Sequence, residues 1–352
     1  MKVFFKGLTY LILVVSIIFA VFLIYSTLTD YRPEAIENVS LDINVDHKID
    51  TTELSFISWN MGYAGLGQEK DFFYDEGKGV RPSDDENTLY FKNISEFVLQ
   101  NDSIDFFLLQ EVDENSKRTY YRNQKELLTN LLEDRNAAYI KNYDVGFVPQ
   151  PLSDPLGKVC AGMVSLSKFA PIEAKRYALP EVYSWPMRIF MLDRAFIYTA
   201  YQLPNGKKLI VINIHNSAYV HDDIQRRKEL DVIKSLATTE YQKGNYVIIG
   251  GDWNMNPPDF SRFMIDKKYN AIDNEFKLSK NLFDKEWQWI YDPGYPTNRS
   301  LEQPFVMGEN TTHIIDFFLL SPNVEALKVQ TLSQDFVYSD HEPVYMKIKI
   351  IE

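Results

Sequence analysis

The chain has 352 residues, of which 45% are hydrophobic and 24% charged, and its formal net charge is −12. This balance is ordinary for a globular protein and excludes a wholly disordered chain. The negative net charge disfavours a protein that binds polyanions through a broad basic face. The single cysteine, Cys160, excludes intramolecular disulfides and zinc sites built from several cysteines.

The N-terminal stretch Leu8–Leu28 carries no charged residue. As a helix it would be about 31 Å long, which matches the hydrocarbon core of a bilayer. Lys2 and Lys6 precede it, whereas the flank after it is net acidic. We therefore predict a membrane anchor over residues 1–29, with a cytoplasmic N-terminus and the rest of the chain extracytoplasmic. A cleaved signal peptide is the alternative, but its apolar region is normally shorter.

Residues 30–52 are mostly polar and predict a tether, followed by a catalytic domain over 53–352. In that domain apolar runs alternate with amphipathic stretches, which predicts a layered α/β fold. The predicted strands are Leu54–Trp59, Asp105–Gln110, Val159–Leu166, Tyr246–Gly250, His313–Leu320 and Tyr345–Ile350, and the predicted helices are Glu86–Leu99, Tyr120–Leu132 and Asp222–Leu236. A hairpin, Phe196–Leu203 with Lys208–Ile214, is predicted to turn at Asn205-Gly206 in the type I′ conformation.

Six short polar motifs lie at or near the ends of these strands. They are Trp59-Asn60, Gln110-Glu111, Asn213-Ile214-His215-Asn216, Gly250-Gly251-Asp252-Trp253-Asn254, Ile315-Asp316 and Ser339-Asp340-His341. Taken singly, each has a structural explanation: an exposed loop acid, a turn aspartate or a core histidine. Taken together, the acids and amides offer an oxygen-rich cation site, and the two histidines offer proton transfer to a phosphate ester.

The order of these motifs resembles the endonuclease/exonuclease/phosphatase superfamily, over about Leu54–Ile350. The resemblance implies a four-layered α/β sandwich, in which two packed mixed β-sheets are flanked by helices, preceded here by one N-terminal transmembrane helix. It also implies a Mg²⁺-dependent phosphoric ester hydrolase, with Mn²⁺ or Ca²⁺ as alternative ions. Trp253 departs from the phenylalanine more usual in the family, and His313 replaces an arginine of some nucleases.

Residue roles follow from the same resemblance. Glu111, with Asn60 and Asp340, would bind the metal. Asp252 would orient or deprotonate the attacking water, and Asn254 would bind the scissile phosphate. His341, paired with Asp316, would donate to a phosphoryl oxygen or help to activate water. His215 would bind the phosphate, and would stabilise the pentacovalent state or assist the leaving oxygen.

The motifs do not choose a substrate, because variable loops do that. A phospholipid or sphingolipid headgroup is favoured, since an anchor would hold the site near it. The first alternative is an extracytoplasmic endonuclease or nucleotide phosphodiesterase, which would need a basic groove; the candidate residues are Lys117, Arg118, Arg122, Arg226, Arg227 and Lys228. The second is a non-catalytic binding module, which would require a lost ligand, and none of the key positions is lost. No obligate protein partner is indicated.

Overall fold

The computed structural model describes residues 2–218, 223–274 and 276–351. In this part of the chain the α-helices are α1 (Lys2–Leu28), α2 (Asp84–Gln100), α3 (Gln124–Leu131) and α4 (Asp223–Gln242). The strands are β1 (Ile36–Asn38), β2 (Leu41–Asp42), β3 (Glu53–Asn60), β4 (Phe106–Asp113), β5 (Asn136–Val148), β6 (Gly157–Ser167), β7 (Glu173–Ala178), β8 (Ala195–Gln202), β9 (Lys208–His215), β10 (Tyr246–Asp252), β11 (Asn270–Ala271), β12 (Gln288–Ile290), β13 (Asn298–Arg299), β14 (Thr311–His313), β15 (Asp316–Leu320), β16 (Val324–Thr331) and β17 (Val344–Ile350).

Most of the strands form two large mixed sheets. The first has the order β1-β7-β8-β9-β10-β15-β12, and the second has the order β16-β17-β3-β4-β6-β5-β2. A small third sheet has the order β11-β14-β13. The inner faces of the large sheets pack on each other through side chains such as Phe56, Leu108, Ile248 and Phe318, all fully buried.

Helices cover the two outer faces. Helix α2 starts with a capping box between Ser83 and Glu86, and its apolar face, including Ile94, packs on the second sheet. Helix α4 covers the first sheet through Ile233 and Ala237. This arrangement confirms the predicted four-layered α/β sandwich.

Strand pairing decides which polar side chains meet. Strands β3 and β4 are parallel neighbours, as are β9 and β10, so the carboxyl ends of each pair lie at the same edge of their sheet. In the first sheet Asp252 lies opposite both His215 and Asp316 in the strand register. The local backbone also depends on glycine: Gly251 has φ +142°, and a Cβ there would lie 2.1 Å from the carbonyl oxygen of Ile214.

Most predicted elements are confirmed within a few residues of their ends. The helix predicted over Tyr120–Leu132 is wrong at its start, because Tyr120 and Tyr121 have positive φ and α3 begins only at Gln124, after the N-cap Asn123. Helix α4 continues to Gln242, and the predicted start at Asp222 lies outside the described residues.

Two predictions about strands and turns are corrected. The strand predicted over His313–Leu320 is two strands in different sheets, because β14 pairs with β13 while β15 pairs with β10. The hairpin β8–β9 exists, but its loop spans 203–207, and of Asn205 and Gly206 only Gly206 has positive φ. A type I′ turn requires positive φ at both central residues, so that prediction was wrong.

The segment over 30–52 is not a free tether. Strand β1 pairs with β7 at the edge of the first sheet, and β2 pairs with β5 at the edge of the second. Ile49 from the same segment is 2% exposed in the core between the sheets. The chain after α1 is therefore bonded to both sheets, which fixes where the helix leaves the domain.

Helix α1 has a mean hydropathy of 2.8 over its most apolar window, and its length and composition are sufficient to cross a membrane. None of its residues is fully buried. A signal sequence would share these properties.

Candidate active site

Six of the eight predicted site residues line one cleft of about 780 Å³, and the remaining two, Asn60 and Asp316, lie directly beneath it in hydrogen bonds to the others. The six are Glu111, His215, Asp252, Asn254, Asp340 and His341. Both large sheets contribute: β3, β4 and the turn before β17 on one side, and β9, β10 and β15 on the other. The structure thus brings together all eight residues.

Glu111 and Asn60 stand at the ends of the parallel strands β4 and β3. The Asn60 amide nitrogen donates to Glu111 Oε1 over 3.3 Å and to Asp252 Oδ2 over 3.1 Å. Glu111 lies at a register shift in the β4–β6 pairing and has φ +54°. A non-glycine residue in that region is strained, and such strain is concentrated at functional sites. The bulge turns the Glu111 side chain, one-quarter exposed, into the cleft.

Asp340 reaches the same place from the turn before β17. Its neighbour Ser339 donates through Oγ to the carbonyl oxygen of Asn60 over 2.9 Å, which ties the turn to the end of β3. Gly62 makes room for the carboxylate, because a Cβ there would lie 2.7 Å from Asp340 Oδ1. Burial raises the pKa of Asp340 to about 6, and the nearby Glu111 carboxylate acts in the same direction. His341 has the opposite effect but does not outweigh them.

Asp252 is buried at the centre of the cleft floor. Its Oδ1 accepts from the backbone N–H of Asn254 over 2.9 Å. Its Oδ2 lies 3.5 Å from His215 Nε2 and 3.8 Å from His341 Nε2. Burial and the charge of Asp316 raise the pKa of Asp252 towards neutral pH. A carboxylate with a raised pKa accepts a proton more readily.

His341 is held in one orientation by Asp316. Its Nδ1 lies 2.8 Å from Asp316 Oδ2, and its Nε2 lies 3.0 Å from the side-chain nitrogen of Asn298. Burial alone would lower the pKa of His341, but the carboxylates of Asp316, Asp340 and Asp252 outweigh it and raise that pKa well above the usual value. With Nδ1 engaged, Nε2 is the ring nitrogen that faces the cleft. When the ring is protonated, Nε2 can bond the Asn298 side chain only through its oxygen, so that amide must turn over from the orientation in which its nitrogen faces the imidazole.

His215 differs from His341 in its surroundings. Burial, reinforced by Arg194, lowers the pKa of His215 well below 6.5, so the ring is neutral. Its Nδ1 is buried without a hydrogen-bond partner among the described residues. Arg194 reaches the backbone carbonyl of His215 over 3.4 Å. The two histidines therefore enter the cleft in opposite protonation states.

Asn254 has φ +52° and its side-chain nitrogen donates to the backbone oxygen of Asn216 over 2.8 Å. That bond fixes the amide plane at the wall of the cleft. One side-chain amide with a fixed plane is suited to contact a phosphoryl oxygen.

The residues Glu111, Asp340 and Asn60 fit a hard divalent cation. Glu111 and Asp340 offer carboxylate oxygens, the ligand type that Mg²⁺ and Ca²⁺ prefer, and the Asn60 side chain would offer Oδ1, which also accepts from the backbone N–H of Gly62. A cation would stabilise the charged form of Asp340, whose pKa is raised by burial and by the Glu111 carboxylate. A second group, Asp252, Asp316 and His341, also offers ligand atoms within 4.8 Å of one another. In that group one carboxylate oxygen of Asp316 is already bonded to His341 Nδ1.

Asn298 and Arg194 line the cleft floor but were not predicted from the sequence. Asn298 belongs to the two-residue strand β13, whose pairing with β14 and bridge to His341 bring its amide to the imidazole. Neither residue lies in a motif or at the end of an apolar run, so no periodic pattern marks it. Only the folded structure shows that Asn298 lies beside His341 and that Arg194 lies beside His215.

The comparisons with known proteins agree with this geometry. The profile of the Endonuclease/Exonuclease/phosphatase family matches residues 57–341. No curated protein sequence is a significant match.

Several solved structures share the fold at low sequence identity. An endonuclease/exonuclease/phosphatase from Beutenbergia cavernae has a TM-score of 0.56 at 15% identity, covering 85% of this chain and 72% of its own. The TDP2 protein of D. rerio, solved with a single-strand DNA product, has a TM-score of 0.52 at 13% identity, covering 85% of this chain and 99% of its own. The human Nocturnin catalytic domain, with a bound sulfate anion, has a TM-score of 0.52 at 14% identity, covering 89% of this chain and 97% of its own.

Proposed function

The chain belongs to the endonuclease/exonuclease/phosphatase family, and from that premise we propose that it is a membrane-anchored, divalent-metal-dependent phosphodiesterase. The observation that carries the proposal is the convergence of eight polar residues from two sheets at one cleft floor. Buried charges and amides are costly unless they are paired or functional. None of the positions needed for hydrolysis is replaced, which argues against a non-catalytic module.

Water activation falls to Asp252. Its raised pKa places the carboxylate nearer to the pH at which a general base works, and Asn60 and Asn254 hold its two oxygens in place. A water held against Oδ2 would lose its proton to Asp252 as its oxygen attacks phosphorus. The bond between phosphorus and the ester oxygen of the leaving alcohol would break, and that oxygen would take up a proton from solvent. Because the carboxylate is already held in place, less entropy is lost when the water and Asp252 reach the reactive geometry.

The histidines and Asn254 handle the phosphate. Protonated His341, oriented by Asp316, would donate from Nε2 to a phosphoryl oxygen as negative charge grows. Neutral His215 and the Asn254 amide would hold the other oxygens from the opposite wall. A divalent cation, Mg²⁺ with Mn²⁺ or Ca²⁺ as alternatives, would be held by Glu111, Asp340 and Asn60, and would supply Lewis-acid stabilisation of the phosphate and leaving group.

A lipid headgroup is the substrate that we favour. The cleft wall above the polar floor carries apolar side chains, among them Phe72, Tyr74 and Leu192. Helix α1 would hold the domain at a membrane, with the N-terminus cytoplasmic and the catalytic domain extracytoplasmic. A membrane-bound substrate needs no basic groove, which suits a net charge of −12.

A nuclease or nucleotide phosphodiesterase is the second candidate. The observation in its favour is that Arg118, Arg194, Arg226 and Arg299 line the cleft. All four have partners within the protein: Arg118 pairs with Asp113, whereas Arg194, Arg226 and Arg299 donate to backbone carbonyl oxygens.

The four other residues named as candidates for a basic groove either have partners within the protein or lie on another surface. Lys117 donates to the carbonyl oxygen of Pro155, and Arg122 bonds Asp84 and Asn87. Arg227 and Lys228 are exposed on helix α4. These contacts favour the lipid over the nucleic acid.

Hydrolysis of a substrate panel by the full chain tests the proposal. The panel holds sphingomyelin and inositol phospholipids in vesicles, single-stranded and duplex DNA, and a soluble aryl phosphodiester, each with Mg²⁺ and with chelator. We expect turnover of the aryl phosphodiester and of one vesicle lipid, abolished by chelator and restored by Mg²⁺. Turnover that is unaffected by chelator would refute the metal site, and DNA hydrolysis without lipid hydrolysis would select the second candidate.

A further inference from the structure

Helix α1 does not leave the domain freely: one stripe of its last turns packs on the end of strand β5 and on the loop before strand β8. Phe22 and Ser26 lie on this stripe at a spacing of four residues, and Asp30 follows two residues after the helix ends; each of the three is partly shielded from solvent. The Phe22 ring stacks on Phe190 with centroids 5.6 Å apart and meets Phe147 edge-on at 6.1 Å. These contacts fix how the domain sits beside the helix.

The contacts become more polar towards the end of the helix. Trp185 donates through Nε1 to Thr27 Oγ1 over 3.1 Å, and Arg188 pairs with Asp30 over 3.2 Å. The aromatic contacts at Phe22 thus lie about 9 Å before the end of the helix at Leu28, and the ion pair at Asp30 lies beyond that end. A bilayer surface shows the same gradient, from apolar through aromatic to charged groups, over a similar depth.

Helix length places this gradient in the bilayer. If the uncharged stretch Leu8–Leu28 fills the hydrocarbon core, Phe22 lies about 9 Å below the exit of the helix. Phe147 and Phe190 touch Phe22, so they must reach the same layer. If the bilayer ended at Phe22 instead, Leu8–Phe22 would span only about 22 Å of a core about 30 Å thick.

Neighbouring side chains on the same two segments are exposed and apolar. Trp185 is 56% exposed, Met187 49% and Phe147 45%. We propose that these segments, the anchor-side surface formed by residues 146–147 and 185–190, are a second membrane contact that enters the interfacial layer of the bilayer beside helix α1. The proposal rests on the proposed function only in that α1 is retained as an anchor.

This contact would also set the direction of the cleft. The Tyr143 hydroxyl donates to the carbonyl oxygen of Phe190 over 3.1 Å, and one apolar cluster joins Phe190 to Tyr74 and Leu192. Tyr74, Tyr143 and Leu192 line the cleft. The wall of the cleft is therefore continuous with the surface that meets the bilayer, so a lipid headgroup would be within reach of the cleft mouth.

The contact is apolar rather than electrostatic. Arg188, the cation on these segments, is paired with Asp30 and Glu181. Binding by basic clusters requires unpaired lysine or arginine side chains and anionic lipid. We therefore expect the anchor-side surface to enter bilayers of phosphatidylcholine alone, with little dependence on salt.

Depth measurements on the full chain in phosphatidylcholine vesicles test this proposal. Cysteines at Gly146→Cys and Met187→Cys would each carry an environment-sensitive dye; a Cβ at Gly146 meets no atom within 4 Å, and the native Cys160 is buried. Phe263→Cys, at a side chain 83% exposed on another loop, is the matched control. We expect headgroup-level lipid quenchers to act on the first two dyes at least about threefold more strongly than on the control, and iodide to show the reverse order.

Dyes at 146 and 187 that respond to iodide as the control does would overturn the proposal, and would leave these apolar side chains to a second copy of the chain or to a protein partner. Turnover of the soluble aryl phosphodiester by the same proteins is a separate readout. Its absence in the parent chain would count against the proposed function, while the depth result would stand.

Discussion

The cleft floor and the anchor-side surface differ in which side chains they bury and which they expose. In the cleft floor, charged and amide side chains are buried and bonded to one another, as Asn60 shows with its bonds to Glu111, Asp252 and Gly62. In the anchor-side surface, Trp185 and Met187 are exposed and apolar. The cleft floor is suited to the hydrolysis of any phosphodiester, whereas the anchor-side surface favours a substrate that lies in a membrane. Changes in the two regions should therefore have different substrate dependence.

The largest effect is expected from Glu111→Gln. The substitution keeps the shape of the side chain but removes one negative charge from the proposed metal site. Metal stabilisation of a phosphoryl transition state is worth several kcal/mol, so turnover should fall roughly 10³-fold. The loss should be equal on vesicle lipid and on the soluble aryl phosphodiester, and more Mg²⁺ should be needed for half-maximal rate.

Glu114→Gln is the matched control for this change, because Glu114 follows the same strand but accepts from Cys160 outside the cleft. A Glu111→Gln protein with the metal requirement and rate of the parent chain would show that the carboxylate does not bind the ion.

The next effect in size is expected from Asp316→Asn. Asp316 is fully buried and meets His341 over 2.8 Å, so the neutral amide removes the charge that keeps the imidazole protonated. Turnover should fall by about 10²-fold on both substrates, which is a typical contribution of acid–base catalysis. Because the raised pKa of His341 depends on Asp316 among its neighbours, the alkaline fall in kcat should move to lower pH. A uniform drop in rate with an unmoved pH profile would make Asp316 a structural residue only.

The anchor-side surface provides the contrasting change. A Trp185→Asp/Met187→Asp protein should lose about tenfold in turnover of vesicle lipid, because two apolar side chains no longer favour contact with the bilayer. Turnover of the soluble aryl phosphodiester should be unchanged, since neither residue lines the cleft. Phe263→Asp is the control for an added charge. Equal losses on both substrates would remove the distinction between the two regions.

The sequence predicted the cleft floor better than the anchor-side surface, for a physical reason. Strand ends follow from apolar periodicity, and parallel strands bring their ends together, so Asn60 and Glu111 could be placed side by side. Asn298 could not, because its two-residue strand has no periodic pattern. The packing of Phe22 on Phe190 joins residues 168 positions apart in a loop and a helix, and no local rule predicts such a contact.

Backbone conformation set a second limit on prediction. Tyr120 and Tyr121 fit a helical pattern of apolar residues, yet both adopt positive φ and delay helix α3. His313 fits an apolar strand, yet the chain crosses between two sheets directly after it. In both places tertiary packing overrides the local preference. The predicted domain bounds at 29 and 52 remain predictions, although β1 and β2 already pair with the domain.

The smallest effect concerns Asp193, which follows the anchor-side surface and lies outside the cleft floor. Burial and the Asp30 carboxylate raise the pKa of Asp193 from 3.8 to about 7. The folded chain therefore binds a proton that the unfolded chain has released between these values, so this group's contribution to stability is lost as pH rises through that window. Such a shift would be worth about 4 kcal/mol in a dry site, but Asp193 is only half-buried and solvent screens it, so we expect about 1 kcal/mol.

Asp193→Asn should accordingly be more stable than the parent chain at pH 8 and similar at pH 4, measured by urea unfolding of the full chain in lipid nanodiscs. Turnover of the soluble substrate should be the same for both proteins, because the charge acts on the fit of the loop against helix α1 and not on the phosphate. A stability difference that does not vary with pH would show that Asp193 is ionised throughout, and a change in soluble turnover would show that the two regions are coupled.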